Sequence, residues 1–462
     1  MHLGLGAFFR AHGALYTAEA VESEGGDWGV IGVSLRSPDQ RDRLAPQDFA
    51  YTALERGPEG PKARQVEIVR AVLVAREDPE AVLAAMSDPA IRVVTLTVTE
   101  KGYGHRPSDG TLDPDNPEIA HDIASPHRPR TAAGFIVEAL RRRHEGGHAP
   151  PTVLSCDNLP HNGRVTRDVV LGLAARRDPD LAGWIEREGA FPSSMVDRIV
   201  PATTEADREE VAGLIGAWDA SPVMHEPFRQ WVVEDGFVDG ARPAWERAGA
   251  QLVADVTPFE AMKLRCLNGT HSALAYLGYL AGYETIAETV ADPAFDGFLD
   301  RLWREEIVPS LDAPPDTDLA AYTAALRKRY LDPAIRHRLW QIAMDGSQKL
   351  PQRLFGTLTD NLVAGRPIRG LALAVAAWIA YTSGTDERGE PIDVRDPLGD
   401  RLREAGARHA DASERAMAFL ALDAVFPGNL AKDERFRAAL REAADALAGK
   451  GARGAVRHYA GA

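Results

Sequence analysis

Cysteine is nearly absent: Cys156 and Cys266 are the only two, far apart and outside any CxxC or Cys/His cluster. That excludes a disulfide framework and a structural zinc site, and a reducing, cytoplasmic compartment fits best. Positive charge is also scarce, with 53 Lys and Arg against 68 Asp and Glu and a formal net charge of -15. Such a balance excludes general affinity for nucleic acid or an anionic membrane, so an anionic ligand must be met by local cations. Long hydrophobic runs are missing as well. The longest, at 371–381, is too short to span a bilayer, and the first residues lack a basic segment followed by a signal-type apolar core. No internal repeat or low-complexity tract stands out.

What the chain does have is ordinary globular content, 462 residues of which 45% are hydrophobic, enough for two sizeable domains. In the first half, β-branched runs at 28–35, 66–74, 93–99, 152–156 and 195–200 alternate with helical periodicity at 11–24, 131–143 and 165–176. That alternation predicts a parallel, doubly wound sheet with crossover helices. After a Gly/Pro-containing stretch at 234–247 and a last short strand at 251–255, the pattern turns helical: 259–280, 293–306, 319–330, 335–344, 368–381 and 434–447. The expected fold is therefore α/β over 1–255, followed by a mainly α-helical domain over 256–462.

The chain opens with an apolar start, a Gly4-Leu5-Gly6 turn and a helical stretch. That order suits a dinucleotide phosphate, because small residues admit it to backbone N–H groups and the helix start is electropositive. Arg10 adds a full positive charge, whereas Phe9 stands where the third glycine of Gly-x-Gly-x-x-Gly belongs. Taken alone, the turn reads equally well as an ordinary strand–helix junction. The first strand is very short: either the sheet starts abruptly or the natural start lies upstream. Past the second strand, Asp39 favours the ribose hydroxyls of NAD, and Arg36 leaves NADP open; two solvated loop charges are the alternative. Gly4, Gly6, Phe9, Arg10 and Asp39 are the candidate cofactor-side residues.

Residues 263–271 read KLRCLNGTH and bring a lysine, an amide and an imidazole together. A lysine serves as general base when burial and neighbouring cations depress its pKa, and an asparagine NH2 donates to a developing alkoxide. Alcohol–ketone chemistry without a metal follows. On an ideal helix Asn268 stands about 140° from Lys263 and His271 about 80° from it, so the first pair does not share a face. A distortion at Asn268–Gly269 is expected to re-aim the amide. Glu260, one turn before Lys263, either supports the lysine and relays its proton or forms a surface ion pair. Asn158 follows a buried-looking strand and is placed to donate to substrate oxygen, unless Asp157 and Asn158 only turn the chain. By themselves, Lys263 reads as a solvated lysine and His271 as a satisfied core histidine.

Five ordered segments resemble the polyol-specific long-chain dehydrogenase/reductase family, or mannitol dehydrogenase family, over nearly the whole chain. They are GLGAFFRAH at 4–12, TEKGY at 99–103, SCDNLPHNG at 155–163, VDRIVPATT at 196–204 and KLRCLNGTHSALAYLGYLAGY at 263–283. The resemblance implies a Rossmann-type N-terminal domain, a helical C-terminal domain, an active site between them, and metal-independent hydride transfer with NAD. It assigns Lys263 as general base, Asn158 and Asn268 as oxyanion donors, His271 as a substrate-orienting residue, and Asp197 and Glu260 as supporting positions. As a base Lys263 must be neutral, so alcohol oxidation is expected to rise with pH.

Within the family, the stretches at 335–353 and 381–393 resemble fructuronate reductases more than mannitol 2-dehydrogenases. A uronate carries a carboxylate, for which Lys349 and Arg353 are candidate partners; helix-surface cations are the alternative. The expected reaction is D-fructuronate to D-mannonate and back, with mannitol–fructose oxidoreduction as the nearest rival. A non-catalytic NAD- or sugar-binding sensor and a 6-phosphogluconate-dehydrogenase-like enzyme are the more distant ones. The expected partner is a small sugar acid or polyol, and self-association is left open.

Overall fold

The β-branched runs of the first half assemble into a five-stranded, wholly parallel sheet in a computed structural model of the chain. Residues 1–106, 109–334 and 336–461 are described, and they divide into two units, Met1–Thr257 and Pro258–Ala462. The strands of the first unit are β1 (His2–Leu3), β2 (Val30–Ser34), β3 (Tyr51–Glu55), β4 (Lys62–Val66), β5 (Val69–Val74), β6 (Val93–Leu96), β7 (Thr152–Ser155), β8 (Ser194–Asp197), β9 (Val223–His225), β10 (Gln230–Glu234) and β11 (Gln251–Val253).

The parallel sheet runs β5-β2-β1-β6-β7. Counted among these five in chain order, that is the 3-2-1-4-5 winding, which reverses between β1 and β6. Such a reversal opens a crevice at the carboxyl ends of the two strands. Every residue of β6 and β7 is buried, as a sheet covered on both faces requires. One face packs Val33, Val94 and Val153 against Phe135, Ile136 and Leu173 of the crossover helices; the other carries Leu5, Ala14, Leu15 and Val72. The helix Ala132–Glu145 starts where it does because the Thr131 hydroxyl accepts the Gly134 N–H at 2.9 Å.

Two small sheets flank this core, β4-β3-β9 and β11-β10-β8. They account for most of the difference from expectation. The apolar run at 66–74 is two strands, because Val66 pairs with Tyr51 in a hairpin while Val69 pairs with Val30 in the main sheet. A period-two pattern carries through such a change of partner unnoticed. The predicted helix at 11–24 is broken at His12 (φ -133°, ψ -88°), between Ala7–Ala11 and Gly13–Glu24.

The second unit is helical among its described residues. The apolar run at 371–381 lies in helix Arg369–Thr382, buried along most of its length against Thr270–Leu280 and Glu434–Ala460. The last of these continues thirteen residues beyond the expected end at 447, through a kink at Gly451 (φ 67°). The predicted helix at 335–344 forms only over Leu339–Ala343, and Ile335 lies outside the described residues. Arg338 is instead extended and bridges to Thr285, and the His337 carbonyl accepts the Ile286 N–H at 3.1 Å. No helix among the described residues is long and apolar enough to cross a membrane.

Candidate active site

At the winding reversal, β1 ends in a turn that only glycine can make. Gly4 has φ 91°, and a Cβ there would lie 2.2 Å from the Thr97 carbonyl oxygen beyond β6. Gly6 precedes helix Ala7–Ala11, and the nearest atom to a Cβ on it would be the Gly4 oxygen at 3.7 Å, so the backbone is accessible there. A backbone turn at a switch point fits a dinucleotide phosphate.

Phe9 and Arg10, by contrast, are held in the interior. The Phe9 ring stacks on His2 with centroids 3.4 Å apart, and the Arg10 guanidinium donates to the Ser221 carbonyl and lies 5.1 Å from the Tyr51 ring centre. Burial lowers the Arg10 pKa to about 10. The expectation that Arg10 adds charge at a phosphate is corrected: its charge is committed to Ser221 and Tyr51, and the turn offers backbone instead. Asp39 and Arg36 are both exposed past the end of β2, where either sign of ribose partner is available.

The next turn is built around Asp157. Its carboxylate accepts the N–H groups of Val98 (2.9 Å) and Thr99 (3.0 Å) and the Tyr103 hydroxyl (2.8 Å). Thr99 has φ 63°, a region non-glycine residues rarely occupy, and the Asp157 contacts hold it there. Burial raises the Asp157 pKa against these three hydrogen bonds, while burial and the Asp157 charge push the Tyr103 hydroxyl well up. For Asp157, then, the turn-making role is the observed one. Asn158 follows it and is exposed. Asn162 ties the same loop to β8 by donating to the Asp157 and Ser194 carbonyls at 3.1 and 2.7 Å and accepting the Ser194 N–H at 3.0 Å. At the end of β8, Asp197 is 5% exposed and paired with Gln230.

In the second unit, Lys263 and Asn268 stand in a π-helical turn, Lys263–Gly269, between α-helices Thr257–Met262 and Thr270–Leu280. Hydrogen bonds in such a turn run from i to i+5, so residues five apart come onto one face. The distortion was expected at this place, but its cause is different: the Gly269 backbone is helical, with φ -63° and ψ -49°. Glycine is needed for space, since a Cβ there would lie 2.9 Å from the carbonyl oxygen of Arg353, itself in a second π turn, Pro351–Phe355. Side chains satisfy the displaced carbonyls. The Cys266 oxygen accepts from Trp303 Nε1 (2.9 Å) and the Thr270 hydroxyl (2.6 Å), and the Leu267 oxygen accepts from the Tyr330 hydroxyl (3.0 Å).

Lys263 and His271 are both buried, at 7% and 6% exposure, while Asn268 and Glu260 are half-buried. The His271 ring lies 4.7 Å from Tyr330 and 5.0 Å, edge-on, from His337. His271 Nε2 and His337 Nδ1 are buried without a hydrogen-bond partner among the described residues, so His271 is not a satisfied core histidine. Burial is the main cause that pushes the His271 pKa well down, joined by His337, Arg329, Arg353 and Lys263. Burial, Arg329, Arg353 and Lys349 lower that of His337 to about 4. Lys349 and Arg353 thus converge with Lys263 and Arg329 on two neutral rings. Arg353 also donates to the Ser272 hydroxyl at 3.1 Å, and Lys349 to the Ile342 carbonyl at 3.2 Å.

Arg329 and His337 were missed from the sequence. Arg329 belongs to a cationic helix end, 327–329, that reads as solvated charge, and His337 sits in the segment predicted helical. Among the described residues no group of three or more His, Cys, Asp and Glu side chains is placed to hold a metal ion.

Comparison with known proteins bears on these two constellations. Residues 1–247 match the mannitol dehydrogenase Rossmann domain and residues 255–448 the mannitol dehydrogenase C-terminal domain. D-mannonate oxidoreductase of Escherichia coli (strain K12) is 48% identical over 99% of this chain and 94% of its own length. Mannitol 2-dehydrogenase of Cereibacter sphaeroides is 41% identical over 99% of this chain and 95% of its own. Among solved structures, Pseudomonas fluorescens mannitol 2-dehydrogenase in ternary complex with NAD and D-mannitol superposes with a TM-score of 0.88 at 39% identity, covering 99% of this chain and 93% of that one.

Proposed function

We propose that this chain, which belongs to the mannitol dehydrogenase family of oxidoreductases, interconverts D-fructuronate and D-mannonate with NAD. The observation that carries the sugar-acid reading is the convergence of Lys349, Arg353 and Arg329 on the paired rings of His271 and His337. A chain with a net charge of -15 has concentrated cations here, which suits a carboxylate. The 48% identity to an enzyme named for D-mannonate supports the same choice.

NAD supplies the acceptor for the hydride, with the Gly4–Gly6 backbone and Asp39 assigned to hold it. Lys263 takes the hydroxyl proton during oxidation and returns it during reduction. Its burial disfavours the charged form and so favours the neutral amine that a base requires. Asn158 and Asn268 are assigned as donors to the substrate oxygen as negative charge grows on it. The π turn supports that role for Asn268 by bringing it onto the Lys263 face. His271, held neutral, donates or accepts one hydrogen bond and orients the substrate hydroxyl. Glu260 is assigned to carry the proton onward from Lys263, and Asp197 to support the site.

A second reading, oxidation of mannitol to fructose, is favoured by the likeness to the enzyme solved with NAD and D-mannitol. Membership of the family removes the 6-phosphogluconate-dehydrogenase-like alternative. Side-by-side kcat/KM for D-mannonate and D-mannitol, each with NAD and NADP, tests the proposal. A preference for D-mannonate of at least tenfold is expected, and a preference for mannitol would overturn it.

A further inference from the structure

We propose that His337, flanked by Arg329, Arg353 and Lys349, is the residue that reads the carboxylate end of the substrate and so separates a sugar acid from a polyol. The inference rests on the sugar-acid reading above and names the subsite within it.

The first support is an imbalance of hydrogen-bonding groups. His337 Nδ1 is buried without a partner among the described residues, and so is Nε2 of His271, on a ring 5.0 Å away. Two buried orphans in one cluster are costly unless something else completes them. The second support is charge. The groups acting on His337 are Arg329, Arg353 and Lys349, and those acting on His271 are His337, Arg329, Arg353 and Lys263. With Nδ1 of His337 as the protonated nitrogen, the missing partner is an acceptor, and beside cations it is best an anion. A carboxylate meets both needs: one oxygen accepts from a neutral imidazole N–H while the other faces the cations.

The third support is rigidity. His337 is not on a mobile helix end, because its carbonyl accepts the Ile286 N–H at 3.1 Å and the neighbouring Arg338 bridges to Thr285. A fixed ring reads one end of a substrate more selectively than lysine or arginine stems do. A terminal hydroxymethyl group, by contrast, offers one neutral oxygen where a carboxylate offers two that share a negative charge.

The test is steady-state oxidation of D-mannonate and D-mannitol by the wild type, His337→Leu and His337→Gln with NAD. His337→Leu is expected to raise KM for D-mannonate roughly ten- to hundredfold, the range of a hydrogen bond to a charged group, with kcat nearly unchanged and mannitol kinetics within about twofold. His337→Gln, which keeps a side-chain N–H, is expected to recover part of that loss. An unchanged KM for D-mannonate in both variants, or an equal rise for both substrates, would overturn the subsite and leave the sugar-acid reading standing. A wild type that prefers mannitol would remove that reading, and the subsite with it. If the variants do not fold, histidine-labelled wild type answers: D-mannonate should shift the imidazole nitrogen resonances of two rings neutral at pH 7, His271 and His337, and mannitol those of one, and the same two shifts from both substrates would overturn the subsite.

Discussion

Each unit lets a backbone carbonyl approach through a glycine, and the two glycines do so for different reasons. Gly4 has φ 91° and faces the Thr97 oxygen, so both its conformation and its surroundings exclude a side chain. Gly269 has an ordinary helical φ of -63° and is glycine only because the Arg353 oxygen lies 2.9 Å from where a Cβ would be. The first is a turn and announces itself in a motif. The second is a notch cut into a helix so that two π turns can meet, and no local pattern records it. In the first unit the candidate residues thus follow from strand ends; in the second they follow from how distorted helices pack.

The comparison breaks most sharply if the chemistry does not depend on the second unit's π turn. Lys263→Ala should lower the rate of alcohol oxidation by about 10²–10⁴-fold, the usual contribution of a general base, with unchanged folding by circular dichroism. Activity within tenfold of wild type would return Lys263 to the solvated role that a lone helical lysine ordinarily has. Next in size is Gly4→Ala. A left-handed φ and a backbone oxygen at 2.2 Å leave no small adjustment, and a loss of about 3 kcal/mol in unfolding free energy is expected. Gly269→Ala meets only one tight contact and no φ penalty, so about 1–2 kcal/mol is expected, with a fall in kcat because the π turn must shift. Equal losses at the two glycines, measured by denaturant unfolding, would show that the distinction between turn and notch is wrong.

How much of this was legible in the sequence depends on the distance over which each feature is made. The parallel sheet was readable because its strands are short β-branched runs alternating with amphipathic helices, and each run carries its own signal. The β3–β4 hairpin was not, because Tyr51–Glu55 shows no clean alternation and its partner ends inside the β-branched stretch at 66–74, which reads as one strand. At the site, Lys263, Asn268 and His271 were visible as a cluster of chemistry-bearing types. The wide angle between the first two belongs to an α-helix, whereas the π turn they occupy has i+5 geometry. Arg329 and His337 had no signal of their own. What distinguishes them is convergence on His271 from a helix end and an extended segment, and a single sequence does not display that.

The smallest effect uses buried histidines, which both units contain, to ask whether the two respond to acid alike. Burial lowers the pKa of His12 in the first unit to about 3 and that of His337 in the second to about 4, against an ordinary value of 6.5. The folded state therefore stays unprotonated at these rings where the unfolded chain takes up protons. Stability is complete above pH 6.5, falls as the pH drops through 6.5, and levels off only near the folded values. Between pH 7 and about 5.5 each ring should cost roughly 1 kcal/mol. His12→Phe and His337→Leu should each shallow that decline by this amount, while the pH 7 value changes only by lost packing and, for His12, the lost hydrogen bond to Gln230. His12 packs among Phe8, Tyr16 and Trp231 and its ring bonds the Gln230 carbonyl, so its removal should alter acid stability without altering KM for D-mannonate. His337→Leu should alter both. If His12→Phe also raises that KM, the first unit's buried histidines are not merely structural, and the contrast between the two units no longer holds.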